Sequence, residues 1–189
     1  MFPLKASRST LEIKELIDSI HYNNDESAFN ELYKLLINNL NQFAWSFLGD
    51  KEACEEIIND LFVNIWTGRH KLNKISNPKV YFYVAIKNAC LNHIRSNTSK
   101  RNRDAQLAET YYFHLSVDPA QLLISKELQA GVLNAVNSLP PRCKLIFKMV
   151  KEDDLSCNEV ADILGLSNKT VFAQLAIALK KLDEALGNG

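Results

Sequence analysis

Nine cations fall between Arg69 and Arg103 with no acid among them: Arg69, Lys71, Lys74, Lys79, Lys87, Arg95, Lys100, Arg101 and Arg103. A 35-residue stretch with nine positive charges and no negative one is the electrostatic footprint of a polyanion site. Its middle interleaves cations with rings, Tyr81, Phe82 and Tyr83 lying between Lys79 and Lys87. That mixture suits a nucleic acid, whose backbone attracts cations and whose bases stack on aromatics. The competing reading is a solvated basic face with a flexible tail, and the run SNTSKRNRD fits it by itself. The flanks are acidic. Residues 1–68 hold 5 basic and 11 acidic side chains, a net of −6, and residues 104–189 hold 8 and 11, a net of −3, so the whole chain is neutral.

Other chemistry is not visible. There is no HExxH, phosphate loop, GxSxG or dinucleotide fingerprint. His21, His70, His93 and His114 are scattered, and Asp153-Asp154 reads as a solvated turn. Cys54, Cys90, Cys143 and Cys157 form no CxxC pair and read as reduced, mostly buried thiols. The expectation is a protein that is not an enzyme, with no cofactor, no metal and no small-molecule substrate. Met1 to Thr10 carries Lys5 and Arg8 with no apolar segment behind them, so no secretory signal is expected and the location is read as cytoplasmic.

The elements that must position these residues read as helices. Apolar residues make up 47% of the 189, with only 6 Gly and 5 Pro, which permits a core and argues against many short strands. Ser9 and Glu12 have capping-box spacing and predict a helix from about Thr10 to Ile20. Phe29, Leu32, Leu36, Leu40, Phe43 and Phe47 form the stripe of a second helix, about Glu26 to Phe47. A third runs from Asp50 to about Thr67, with Ile57, Ile58, Leu61, Phe62 and Ile65 inward. Asn77-Pro78 opens a fourth, to about Arg95. Asp118-Pro119 opens a fifth, to about Ser138, and Pro140-Pro141 a sixth, to about Val150. The expected fold is all-α: a helical bundle over residues 1–96, a flexible linker over 97–118 and a smaller domain over 119–189.

That smaller domain contains a helix-turn-helix pattern. Ser156 and Glu159 cap a short helix that ends near Gly165, and Ser167 caps a longer one reaching Leu186. Val160, Ala161 and Leu164 face inward on the first, and Val171, Leu175 and Leu179 on the second. Ala161 is small where helices cross, and Gly165 suits the positive φ of a tight turn. The second helix of such a unit enters a major groove. Any two-helix hairpin with a glycine turn shares the pattern.

Two stretches together resemble one family, the bacterial RNA polymerase sigma factors of the extracytoplasmic-function (ECF) type. EEIINDLFVNIW (Glu55–Trp66), followed by NPKVYFYVAIKNACLNHIR (Asn77–Arg95), looks like its second region. LPPRCKLIFKMVKEDDLSCNEVADILGLSNKTV (Leu139–Val171) looks like its fourth. The resemblance implies a promoter-specificity subunit that binds core RNA polymerase and promoter DNA, with an anti-sigma factor as a further partner. It implies that the Glu55–Trp66 helix docks on the clamp coiled coil of the beta-prime subunit, with Glu56, Asn59, Asp60 and Asn64 as the polar positions for it.

By the same resemblance, residues from about Lys71 to Arg95 read and open the minus-ten element. Opening DNA needs a ring for an exposed base and cations for the backbone. Tyr81 suits stacking while Phe82 and Tyr83 are assigned to the core. Lys74, Lys79, Lys87 and Arg95 suit phosphates. Asn77, Asn88 and Asn92 suit bases or sugars, although a solvated helix face explains Asn88 and Asn92 equally well. The last helix departs from the family pattern, because Thr170 to Leu179 contains no Arg or Lys. Lys169, Thr170 and Gln174 are left as minus-thirty-five contacts, and Lys180 and Lys181 as phosphate contacts. Phe172 and Ile177 suit either thymine methyls or a protein interface. The alternative function is a degenerate sigma-like adaptor whose C-terminal domain binds protein rather than DNA.

Overall fold

The structure, a computed structural model, describes residues 8–101 and 134–186. The chain divides into two units, one within residues 1–111 and the other within 112–189. All regular structure among the described residues is helical.

The first unit is built from α1 (Arg8–Asn23), α2 (Glu26–Leu48), α3 (Lys51–Thr67), a 3-10 helix (Arg69–Lys74) and α4 (Pro78–Arg101). Short polar residues set its boundaries. Asp25 accepts from the backbone N–H groups of Ser27 and Ala28 at 2.9 and 3.0 Å, starting α2, and Ser19 Oγ donates to the same carboxylate at 2.9 Å. The Ala28 bond, then the Ser19 bond, hold the Asp25 carboxyl below its ordinary pKa. Asp50 starts α3 by accepting from Ala53 at 3.1 Å. At Gly68 a Cβ would lie 2.9 Å from the Asn64 carbonyl oxygen, so only glycine lets α3 turn directly into the 3-10 helix.

α2 is the axis of this bundle and packs on α1, α3 and α4. It buries Leu32, Leu36, Leu40, Phe43 and Phe47. Ile13, Ile17 and Ile20 meet it from α1, and Ile57, Ile58, Leu61, Phe62 and Ile65 are buried on α3. Rings knit the helices together. Phe43 sits edge-on to Tyr83 at 4.9 Å, and Phe62 stacks on Phe82 at 5.9 Å. Each such side chain contributes about 1.5–3 kcal/mol through burial, offset by the entropy of ordering it.

The second unit contains α5 (Pro141–Lys151), α6 (Cys157–Leu164) and α7 (Asn168–Leu186), with residues 134–137 also helical. The capping box forms as expected: Ser156 N–H donates to Glu159 Oε2 at 2.8 Å and Glu159 N–H to Ser156 Oγ at 3.3 Å. Gly165 ends α6 with φ +68°, and Ser167 Oγ accepts from Thr170 N–H at 3.1 Å to start α7. Ala135, Val136, Leu139, Cys143, Ala178 and Leu182 form one apolar cluster, with Phe147 against it.

Several boundaries differ from the sequence expectation. α1 already begins at Arg8, so Ser9 lies inside it. α4 continues to Arg101, because no Gly or Pro lies between Pro78 and Pro119 to stop it. The helix expected from Asp118-Pro119 lies outside the described residues except for 134–137. Leu179, expected inward, is 44% exposed, and Ala178 and Leu182 are buried in its place.

Candidate nucleic-acid interface

α4 presents two opposed faces. Phe82, Tyr83, Ile86 and Cys90 are fully buried, as expected for the two rings. Tyr81 is 42% exposed, its ring edge-on to Phe82 at 6.0 Å. Tyr81, Asn88, Asn92 and Arg95 are spaced i, i+7, i+11 and i+14, so they share one stripe, and all four are exposed. This stripe offers one ring, two amides and one guanidinium with no carboxylate among them. Such a set can stack a base, bond its edges and hold a phosphate.

The other predicted contacts are placed differently. Lys74 is exposed at the end of the 3-10 helix, before α4 begins. Asn77 is half-buried, and its Oδ1 accepts from Val80 N–H at 3.2 Å, so its side chain caps α4. Lys87 is half-buried on the flank of α4, and desolvation lowers its pKa. Lys79 requires a correction. It is only 5% exposed and engaged within the protein. With Phe82, Tyr83, Ile86 and Cys90 it forms the series i, i+3, i+4, i+7 and i+11, so helix register turns it toward the core and away from a DNA backbone. Arg69, counted in the cationic run, is committed too. Its guanidinium lies 4.6 Å from the Trp66 ring centroid, Nη1 donates to the Trp66 carbonyl at 2.8 Å, and Nε donates to Asn24 Oδ1 at 2.6 Å.

α3 carries a second exposed face. Glu56, Asn59, Asp60 and Asn64 all point outward, and Val63 stands among them at 59% exposure. Val63 carries no polar signal in the sequence, although its spacing from Asn59, Asp60 and Glu56 places it in the same stripe. An exposed valine set in an acidic stripe supplies an apolar contact inside a charged frame, the composition of a protein-binding surface. The polar stripe of α4 and the acidic face of α3 are both open.

On α7, Lys169 and Lys181 are exposed, and Lys180 lies 3.7 Å from Glu184 in an exposed pair. The Thr170 hydroxyl is 2.8 Å from that of Ser167, and Gln174 Oε1 accepts from Cys143 Sγ at 3.1 Å. Phe172 and Ile177 are 57% and 42% exposed. Burial raises the Cys143 thiol pKa while neighbouring Lys181 opposes it. Among the described residues, no group of three or more His, Cys, Asp or Glu side chains could hold a metal ion, and no helix is long and apolar enough to cross a membrane.

The first unit is a helical bundle, and the second contains a helix-turn-helix. Residues 32–100 match Sigma-70 region 2 and residues 130–182 match Sigma-70, region 4. The chain belongs to the sigma-70 family, and within it to the ECF type. Members of this family are transcription initiation factors rather than enzymes. The chain is 22% identical to the ECF RNA polymerase sigma factor SigW of Bacillus subtilis, over 80% of this chain and 84% of that one. It is 19% identical to SigM of the same organism, over 86% and 97%. Among solved structures it is similar to the sigma factor RpoE of Bartonella quintana in complex with the anti-sigma factor NepR. The TM-score there is 0.55, with 21% identity over 84% of this chain and 96% of that one. It is also similar to CnrH in complex with the cytosolic domain of CnrY, with a TM-score of 0.51 and 19% identity over 95% and 97%. At these identities the structural likeness concerns the fold alone.

Proposed function

We propose that this chain is a promoter-specificity subunit that acts in the cytoplasm with core RNA polymerase and promoter DNA. Residues 1–96 bind the polymerase and the minus-ten element, residues 97–118 link, and residues 119–189 meet the minus-thirty-five element. One observation carries this reading: Tyr81 is held at the surface while its neighbours Phe82 and Tyr83 are buried. A ring outside an already filled core, in line with Asn88, Asn92 and Arg95, is placed to take an unpaired base. The acidic α3 face with Val63 at its centre suits a basic partner such as the clamp coiled coil. One structural relative is a sigma factor bound to an anti-sigma factor, and a second, CnrH, is bound to the cytosolic domain of CnrY, which supports an anti-sigma factor for this chain as well. The match of residues 130–182 to region 4 favours DNA over the adaptor role.

The test is reconstitution. Purified chain plus core polymerase is expected to start transcription at defined sites on DNA selected from a random library. Asp60→Lys is expected to weaken co-purification with core polymerase while leaving the circular dichroism spectrum unchanged. No defined start site with wild-type chain would refute the reading, and full retention of binding by Asp60→Lys would remove α3 from the polymerase interface.

A further inference from the structure

Building on the proposed placement of α7 in duplex DNA, we infer that this helix recognises thymine through its methyl group rather than guanine through a cation. Lys169, Phe172, Ala173, Ala176 and Lys180 are spaced i, i+3, i+4, i+7 and i+11, so they share one face, and all five are exposed. Val171, Ala178 and Leu182 are buried on the opposite side. The outward face therefore has an apolar middle and a cation at each end.

That pattern is complementary to a major groove. Lys169 and Lys180 are eleven residues apart, about 16 Å along the axis. The groove is about 12 Å wide, less than this separation, so a lysine at each end of the face can reach the phosphates that border the groove while the apolar residues lie over the base edges. Lys180 also lies near Glu184, but an exposed pair of this kind is weak and does not hold the lysine from a phosphate. The side chains that read guanine O6 and N7 are Arg and Lys, and neither occurs from Thr170 to Leu179. The C5-methyl of thymine is the apolar group that base edges offer in this groove, and Ala and Phe are among the side chains that contact it. Ala173 and Ala176 are short enough to bring the backbone close to the bases, and Phe172 reaches beyond them.

The experiment uses holoenzyme assembled from the full chain and core polymerase, on a promoter selected from a random library. Each thymine of its upstream element is replaced by uracil, which removes only the methyl, and each guanine by 7-deazaguanine, which removes the N7 acceptor. Uracil is expected to weaken binding about fourfold per contacted methyl, and 7-deazaguanine to have no effect. Holoenzyme with the triple variant Phe172→Ser/Ala173→Ser/Ala176→Ser, substitutions at exposed sites that remove the apolar middle of the face, is expected to bind thymine and uracil duplexes alike. If scrambling the upstream element weakens binding but uracil does not, α7 reads DNA by other means and the methyl proposal is overturned. If uracil weakens binding equally for the triple variant, the methyl is not read by this face and the proposal is again overturned. If scrambling has no effect at all, the placement of α7 in DNA itself fails, and a protein partner takes this face.

Discussion

The outward stripe of α4 and the outward face of α7 are built from opposite materials. The first is a ring, two amides and a guanidinium. The second is a phenylalanine and two alanines between lysines. Each matches the state of DNA assigned to it. A melted strand presents base faces and a flexible backbone, which a ring and dispersed cations hold. A duplex hides its base faces and presents edges, on which small apolar side chains find only methyl groups. A helix that grips opened DNA can therefore be polar throughout its exposed face, whereas one that reads a closed groove needs cations only at the walls.

The largest effects should separate the exposed ring from the buried one. Tyr83→Ala is expected to cost the first unit about 3–5 kcal/mol, because it empties a site packed edge-on against Phe43. Tyr81→Ala should change stability by no more than about 0.5 kcal/mol. It should instead reduce promoter opening about 5- to 150-fold, the equivalent of about 1–3 kcal/mol for one lost base stack. Urea unfolding measures the first quantity, and permanganate reactivity of minus-ten thymines the second. Normal opening by Tyr81→Ala would make the α4 stripe ordinary solvated surface.

Most of this division is legible in the periodicity. The stripe from Leu32 to Phe47 follows from apolar spacing alone, whereas three consecutive rings at 81–83 show only that they cannot all face one core, and the register with Ile86 and Cys90 selects Phe82 and Tyr83. The charge of Lys79 points to a surface contact, but its register places it in the same series as Phe82, Ile86 and Cys90. Leu179 departs from its expected inward position for a related reason. Steps of four from Val171 through Leu175 to Leu179 each drift about 40° around a helix of 3.6 residues per turn. By Leu179 the drift has carried the side chain off the core, and Ala178 occupies the buried position. Val63 is not legible in the sequence, because a lone valine carries no signal until its polar neighbours are known to be exposed. The 3-10 helix from Arg69 to Lys74 has no sequence period long enough to read. Its geometry rests on tertiary bonds, among them that between His21 Nδ1 and the Arg69 carbonyl oxygen at 2.9 Å.

The corrected position of Lys79 makes a second comparison measurable within α4 and the helix before it. Lys74 and Arg95 are exposed and Lys79 is buried, although all three are cations of the same run. The double variant Lys74→Ala/Arg95→Ala should flatten the salt dependence of promoter binding by about 1.4–1.8 in the log–log slope, from two lost phosphate contacts. Lys79→Met keeps the packed stem and should leave that slope unchanged. A drop of about one unit for Lys79→Met would mean that its ammonium swings out to meet the backbone.

The smallest effects concern the thiols, which report how tightly each face is packed without disturbing function. Burial pushes the Cys54 thiol up to about 11 and the Cys90 thiol up to about 12. Both lie in the first unit, and Cys90 sits on the packed face of α4. Cys157, at the start of α6, is half-buried, and burial raises its pKa while Lys151 opposes the shift. Only the thiolate attacks an alkylating reagent, and below its pKa the thiolate fraction grows about tenfold per pH unit. At pH 8 Cys157 should therefore be labelled first, and Cys54 and Cys90 should remain unlabelled until urea unfolds the first unit, as followed by peptide mass spectrometry. Labelling of Cys90 as fast as Cys157 would show that α4 loosens from the bundle in solution. Its polar stripe would then no longer be held in register against a fixed core, and the contrast with α7 would lose its structural basis.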